Sequence, residues 1–253
     1  MTLTPKERMR RALRYEPVDR LPTQINYTGA VGERLAAHFG VTRADLPHRL
    51  GNHLLRVDIS HTPRLSDDGK VTYDWWGAGF DTEEEGYFIR HSPLAENQDL
   101  DAFPWPDPHA PGLLRDAERA IAADAGQHFV APNFGFALFE RAYTLRGFDT
   151  FLADMALDPE FAGELLDRIA AIQEALIRRF LAQGVNGVYF GDDYGAQKHT
   201  LFSPRMWRAL IKPRLARLFA PVRAAGLPVL MHSDGDIAAI LPDLVEIGLT
   251  ALN

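Results

Sequence analysis

The chain has 253 residues, 46% of them hydrophobic and 24% charged, with a formal net charge of −7. That composition excludes a disordered chain and argues against a nucleic-acid binder, which carries a basic face. Cysteine is absent, which excludes disulfides, a catalytic thiolate, an iron–sulfur cluster and thiolate-bound zinc; a metal would have to be held by His, Asp, Glu or carbonyl oxygen.

Thr4-Pro5-Lys6-Glu7 reads as a capping box, with Thr4 capping, Pro5 at the first helical position and Glu7 reaching back. The helix it opens runs to about Tyr15, and Pro17 ends it. This polar, basic start has no apolar core for a signal peptide, and no run is long enough to span a membrane, so a cytoplasmic enzyme is expected. Leu21–Tyr27 is predicted as a strand, Val31–Phe39 as a helix stopped by Gly40, and Leu54–Ser60 as a second strand.

Residues 61–111 differ, being dense in Gly, Pro, Asp and aromatics. Asp68-Gly69 is a hairpin signal, and the segment reads as hairpins forming an excursion. Its aromatics, including Trp75, Trp76, Phe103 and Trp105, are expected to pack it onto the body as a lid.

Regular alternation follows. Helix is predicted over Leu113–Asp124, strand over His128–Phe134 and a short helix over Phe136–Leu145. Asp158-Pro159 caps a long helix to about Gln183, and Val185–Phe190 is a strand. Ser203-Pro204 caps a helix to about Ala225, Leu227–His232 is a strand, Asp236 caps a helix through Glu246, and Leu249–Asn253 begins another strand. Alternation with short connections means parallel strands joined by crossover helices, about six strands in all. A closed (β/α)8 barrel needs eight. An open doubly wound sheet is the alternative, but the Gly-rich phosphate loops that accompany it are missing, and with them the signature of a nucleotide cofactor.

In either architecture the chemistry sits at the carboxyl ends of strands. Gly191-Asp192-Asp193-Tyr194-Gly195 places two carboxylates at one such end. On extended backbone they point to opposite sides, so one enters the mouth while the other bonds a loop. The flanking glycines permit a tight turn or a close approach. Met231-His232-Ser233-Asp234 places His232 and Asp234 two apart, on one side of the chain. That spacing suits divalent-metal chelation, or a carboxylate orienting an imidazole. Asn133, beside Gly135, is a candidate substrate-binding amide, whereas Glu140 and Arg141 on the next helix read as surface charges. Arg205, Arg208, Lys212, Arg214 and Arg217 read as a solvated basic face.

These residues carry a resemblance. The opening TPKERMRRALRYEPVDRLP, the segment DAFPWPDP, the stretch GDDYGAQKHTLFSPRMWRALIKPRLARLFAPVRAAGLPVLMHSDGDI and the ending LPDLVEIGLTALN resemble the uroporphyrinogen decarboxylase superfamily. They are most similar to its methyltransferase-like branch, which includes the methylcobamide:coenzyme M methyltransferases. The resemblance implies an α/β fold, a (β/α)8 barrel with the active site in its mouth, here a single unit over 1–253 lacking its last two strands. An uncovered barrel edge would invite a partner, such as a homodimer mate.

In the cobamide methyltransferases the segment around His232 looks like His-x-Cys, which binds zinc with a later Cys. Asp234 stands at that Cys position, so the resemblance implies a divalent ion, zinc or a harder one, on His232 and Asp234. It further implies a corrinoid methyl donor on a partner protein and a small-molecule substrate. His232, Asp192 and Asp193 are the expected catalytic residues, and Asn133, Tyr194 and Gln24 the expected substrate contacts. The arginine-rich opening by which uroporphyrinogen decarboxylases bind propionates is replaced by Gln24-Ile25-Asn26-Tyr27. Decarboxylation of uroporphyrinogen type, in porphyrin biosynthesis, is therefore the second expectation, and a non-catalytic metabolite-binding barrel the third.

Overall fold

The structure is a computed structural model and describes residues 2–84, 86 and 88–253. Helix α1 (Pro5–Ala12) starts where expected, with Thr4 Oγ1 accepting from Glu7 N at 3.2 Å. Glu7, however, pairs forward with Arg11 at 2.8 Å, completing an i,i+4 ion pair in place of the reciprocal half of a capping box. Helix α2 (Gly29–Phe39) is capped by Thr28 and ends on Gly40 at φ 65°, a left-handed conformation that glycine adopts without cost. A short helix, α3 (Leu46–Arg49), precedes β1 (Leu54–Val57).

The predicted strand at 21–27 does not form. The segment is extended beside 52–54, but side-chain amides replace a backbone ladder: Ile25 N donates to Asn52 Oδ1 at 2.8 Å, and Leu54 N to Gln24 Oε1 at 3.2 Å. Arg8 anchors the same region; it is buried, pairs with Asp19 at 2.6 Å and donates to His53 Nε2 at 2.8 Å.

The excursion forms a four-stranded antiparallel sheet, β2 (Arg64–Leu65), β3 (Val71–Tyr73), β4 (Gly79–Asp81) and β5 (Ile89–His91). Asp68 Oδ1 accepts from Ser66 Oγ and Lys70 N, closing the first turn around Gly69. The aromatics pack as expected: Trp76 is buried in the main core, and Trp75, Phe103 and Trp105 lie against it.

The main body continues with α4 (Arg115–Asp124), β6 (Phe129–Gly135), α5 (Phe139–Arg146), α6 (Phe148–Leu157), α7 (Pro159–Ala182), β7 (Val188–Gly191), α8 (Pro204–Leu210), α9 (Lys212–Ala224), β8 (Val229–His232), α10 (Leu241–Ile247) and β9 (Ala251–Leu252). Several boundaries move by two or three residues, among them the starts of α4, α5 and β7, and two departures are larger. The helix predicted over 204–225 is two helices, because Pro213 at the start of α9 cannot continue the hydrogen-bond ladder of α8. Asp236 does accept from Ala238 N at 3.0 Å, but a turn intervenes and regular helix begins only at Leu241.

Strands β1, β6, β7, β8 and β9 form one sheet in that order, with every pairing parallel. It holds five strands, since 21–27 does not join it. Leu54 of β1 and Ala251 and Leu252 of β9 line one concavity, so the sheet curls toward a barrel and stays open between these two edges. Helix α7 buries Leu165, Leu166, Ile169, Ile172, Leu176 and Phe180, an apolar stripe of helical period packed on the sheet and on α9. Each such side chain stabilises the fold by roughly 1.5–3 kcal/mol. The basic run is not merely solvated. Arg208 and Lys212 pair with Asp243 of α10, Arg214 with Asp167 and Arg217 with Glu174 of α7, so the run ties neighbouring helices together. Among the described residues no helix is long and apolar enough to cross a membrane.

Candidate active site

The parallel register sets the site. Gly135 pairs with Gly191, and Gly191 with His232, so the carboxyl ends of β6, β7 and β8 stand side by side. They open into a cavity of about 650 Å3, roofed by the antiparallel sheet and lined by Asn133, Phe136, Glu140, Arg141, Asp193 and His232, with further residues of both sheets. Of the residues lining it, Arg56 and Arg141 are the arginines, and no lysine contributes.

His232 and Asp193, which line the cavity, meet the exposed Asp234, and one ligand atom from each lies within 4.8 Å of the others. Asn253 Oδ1 accepts from Tyr189 Oη at 3.2 Å and meets His232 Nδ1 at 3.1 Å. An acceptor at that point assigns the ring proton to Nδ1 and leaves the Nε2 lone pair free. Nε2 faces Asp234 Oδ1 at 3.5 Å and Asp193 Oδ1 at 3.8 Å. One imidazole nitrogen beside two carboxylates is a hard, anionic donor set that suits a divalent cation, and the absence of cysteine leaves no softer ligand.

Two glycines hold this cluster together. Gly235 has φ 79°, and it packs backbone to backbone on Gly195, where a Cβ would meet Gly235 C at 2.4 Å. Gly195 N donates to Asp234 O, and Asp236 N to Ala196 O. The close approach that the glycines permit is therefore between two loops, and it brings Asp193 to His232. Gly195→Ala is expected to push these loops apart and weaken zinc binding at least tenfold, roughly as loss of a supporting residue does; titration of both proteins with zinc checks it.

The paired aspartates divide as extended backbone dictates. Asp193 faces the cavity. Asp192 is fully buried and accepts four hydrogen bonds, from Leu138 N, Phe139 N, Glu140 N and Tyr194 Oη, at 2.7–3.0 Å. It caps α5 from a distance, because Leu138 at the N-cap position has no side-chain acceptor to offer. Tyr194 is likewise sealed in the core, so the structure does not bring either residue to the cavity. Gln24 sits apart too, in the concavity between β1 and β9. Asn133 does line the cavity, its Nδ2 donating to Asp58 Oδ1 at 3.1 Å.

Glu140 and Arg141 are not surface charges. Both are 7% exposed and both line the cavity, since α5 starts directly beneath the mouth. Burial first, and the charges of Asp192 and Asp193 second, push the Glu140 carboxyl up to about 8. Asp192 is pushed up to about 6 by burial, against the pull of its four donors. The charge therefore rests on Asp192 and the proton on Glu140. Because the folded pKa of Glu140 lies above its unfolded value, the folded state holds the extra proton between about 4.5 and about 8, and stability falls as pH rises across that window. Glu140→Gln removes this loss, and the variant is expected to be more stable than wild type at pH 9 by on the order of 3 kcal/mol while matching it near pH 5; thermal melts across pH 5–9 read it.

Fold and site thus define an α/β enzyme-like barrel with a polar, metal-compatible mouth at the strand ends. The sequence model of the uroporphyrinogen decarboxylase (URO-D) family matches residues 71–253, and the chain belongs to that family. Among solved structures, a methyltransferase from Methanosarcina mazei aligns with TM-score 0.69 at 18% identity, covering 99% of this chain and 75% of its own. A glycerophosphodiester phosphodiesterase from Agrobacterium tumefaciens aligns at TM-score 0.20 and 17% identity, over 83% and 87% of the two chains, too distant to argue from. No curated protein matches the chain.

Proposed function

We propose that the chain is a methyltransferase-like enzyme of the uroporphyrinogen decarboxylase family, acting on a small molecule in the mouth with a corrinoid-bearing protein as methyl donor. The observation that carries this is the His232–Asp193–Asp234 cluster at the strand ends of a fold shared with a solved structure that bears a methyltransferase name. These three side chains would hold a divalent cation, which would supply Lewis acidity to a substrate heteroatom. Asn253 fixes the His232 ring through Nδ1. Asp193 is itself oriented, its Oδ1 accepting from Asp234 N at 2.8 Å. Glu140 holds a proton at its carboxyl inside the cavity, available to a substrate atom that gains electron density. Glu140 is itself only 7% exposed, and Phe80 and Phe136 line the same cavity.

Decarboxylation is the second reading, favoured by the protonated Glu140, because loss of CO2 leaves a carbanion that needs a proton. Uroporphyrinogen itself is a poor match, since its many carboxylates would face a cavity with two arginines. The test is spectroscopic. Zinc-loaded protein with methylcobalamin and a panel of thiol and phenol acceptors is expected to consume the methylcobalamin, with cob(I)alamin and methylated acceptor as products. Release of CO2 from a carboxylated acceptor without change in the corrinoid spectrum replaces the first reading with the second.

A further inference from the structure

Arg141 is a buried cation with half of its guanidinium unused. Nη1 donates to Asp74 Oδ2 and, at 3.4 Å, to Thr144 Oγ1. Nε is buried without a hydrogen-bond partner, and among the described residues Nη2 meets no acceptor either. Nε–H and Nη2–H lie parallel on one edge of the planar group, the edge that grips a carboxylate through two hydrogen bonds. Two aromatic rings lie close to the group, the centres of Trp76 and Phe136 being 5.2 Å and 5.4 Å from the guanidinium carbon. Arg141 borders both the main cavity and a smaller concavity of about 230 Å3 beside Trp75 and Trp76. A buried donor left unpaired costs about 1–3 kcal/mol, which an acceptor that reached this edge would recover.

From this edge we infer that the substrate carries a carboxylate, which docks side-on to Nε and Nη2 of Arg141 while the rest of the molecule extends toward His232. Asp74 and Thr144 fix the guanidinium through Nη1 and do not compete for the docking edge. The aromatic walls suit an apolar body behind the carboxylate. The inference rests on the mouth being the active site, but it does not depend on a metal or on methyl transfer.

The experiment compares three acids, acetate, phenylacetate and 3-phenylpropionate, each with its primary amide, by tryptophan fluorescence, since Trp76 packs on Arg141. Wild type is expected to prefer at least one acid over its amide by at least about tenfold, the equivalent of one charge-assisted hydrogen bond. Arg141→Lys keeps a cation beside Asp74 but has no side-on edge, and is expected to lose that preference while melting close to wild type. Asp74→Asn breaks the tie to the roofing sheet and is expected to keep the preference. Equal binding of acids and amides in wild type, or a preference that survives Arg141→Lys, overturns the inference and leaves Arg141 as a clamp for the sheet. Zinc titration of the same proteins separates the two readings: a lost zinc site with an intact acid preference defeats the methyl-transfer proposal alone, and the reverse defeats this one alone.

Discussion

Replacing Asp192 by Ala is expected to cost about 3–5 kcal/mol of folding stability and to lower the melting temperature by roughly 10 °C, the range for breaking a buried charge from its partners. Its carboxylate is the acceptor for the amides of Leu138 at the N-cap and of Phe139 and Glu140, the first two residues of α5, and for the Tyr194 hydroxyl. Removing it leaves four donors buried, with no side chain of α5 to replace it. Asp192→Asn is expected to fall between, because its amide nitrogen turns one acceptor into a donor that opposes the helix amides. Thermal or urea unfolding reads both. A variant that melts within about 2 °C of wild type would show that α5 does not need the cap, and Asp192 would return as a candidate for direct chemistry. The same result carries a consequence for the site, since α5 delivers Glu140 and Arg141 to the cavity; an unsettled α5 moves both.

The second large effect concerns the imidazole. His232→Ala is expected to lower zinc affinity by at least about a hundredfold, the upper limit of what loss of a supporting residue costs, and to abolish methyl transfer. Asn253→Ala, which removes only the acceptor at Nδ1, is expected to fall within the supporting range of about 10- to 100-fold. Isothermal titration with zinc at fixed pH distinguishes them. Equal affinity in wild type and His232→Ala would exclude His232 as a zinc ligand and leave it as an acid–base group oriented by Asn253.

Much of the fold is legible in the sequence wherever a local rule governs. Thr4-Pro5, Gly40, Asp158-Pro159 and Ser203-Pro204 mark helix ends that the structure shows, because a cap is a contact between residues a few positions apart. The apolar runs ending in Phe190 and His232 are core strands, and both acidic clusters sit at their carboxyl ends. What is not legible depends on distant partners. The segment 21–27 has the composition of a strand, but the amides of Gln24 and Asn52 take the backbone groups that a ladder would use. Glu140 and Arg141 look like ordinary helix charges, and only the register of β6 against β7 places them under the mouth. One local sign pointed there. The stretch Gly135-Phe136-Ala137-Leu138-Phe139 opens a helix with no Ser, Thr, Asp or Asn to cap it. A helix without its own cap must borrow an acceptor from elsewhere in the chain, and Asp192 is that acceptor.

The glycines also read differently in the two views. In sequence, Gly195 and Gly235 permit turns; in space they permit each other, and their contact determines whether Asp193 and Asp234 share one cation. The central claim is therefore spatial, and it is tested most directly by locating the metal. Crystals of the protein grown with zinc and measured on both sides of the zinc absorption edge are predicted to show one anomalous peak at about 2.0–2.2 Å from His232 Nε2 and from carboxylate oxygens of Asp193 and Asp234. A map with no peak at that cluster, with zinc bound elsewhere or nowhere, would contradict it.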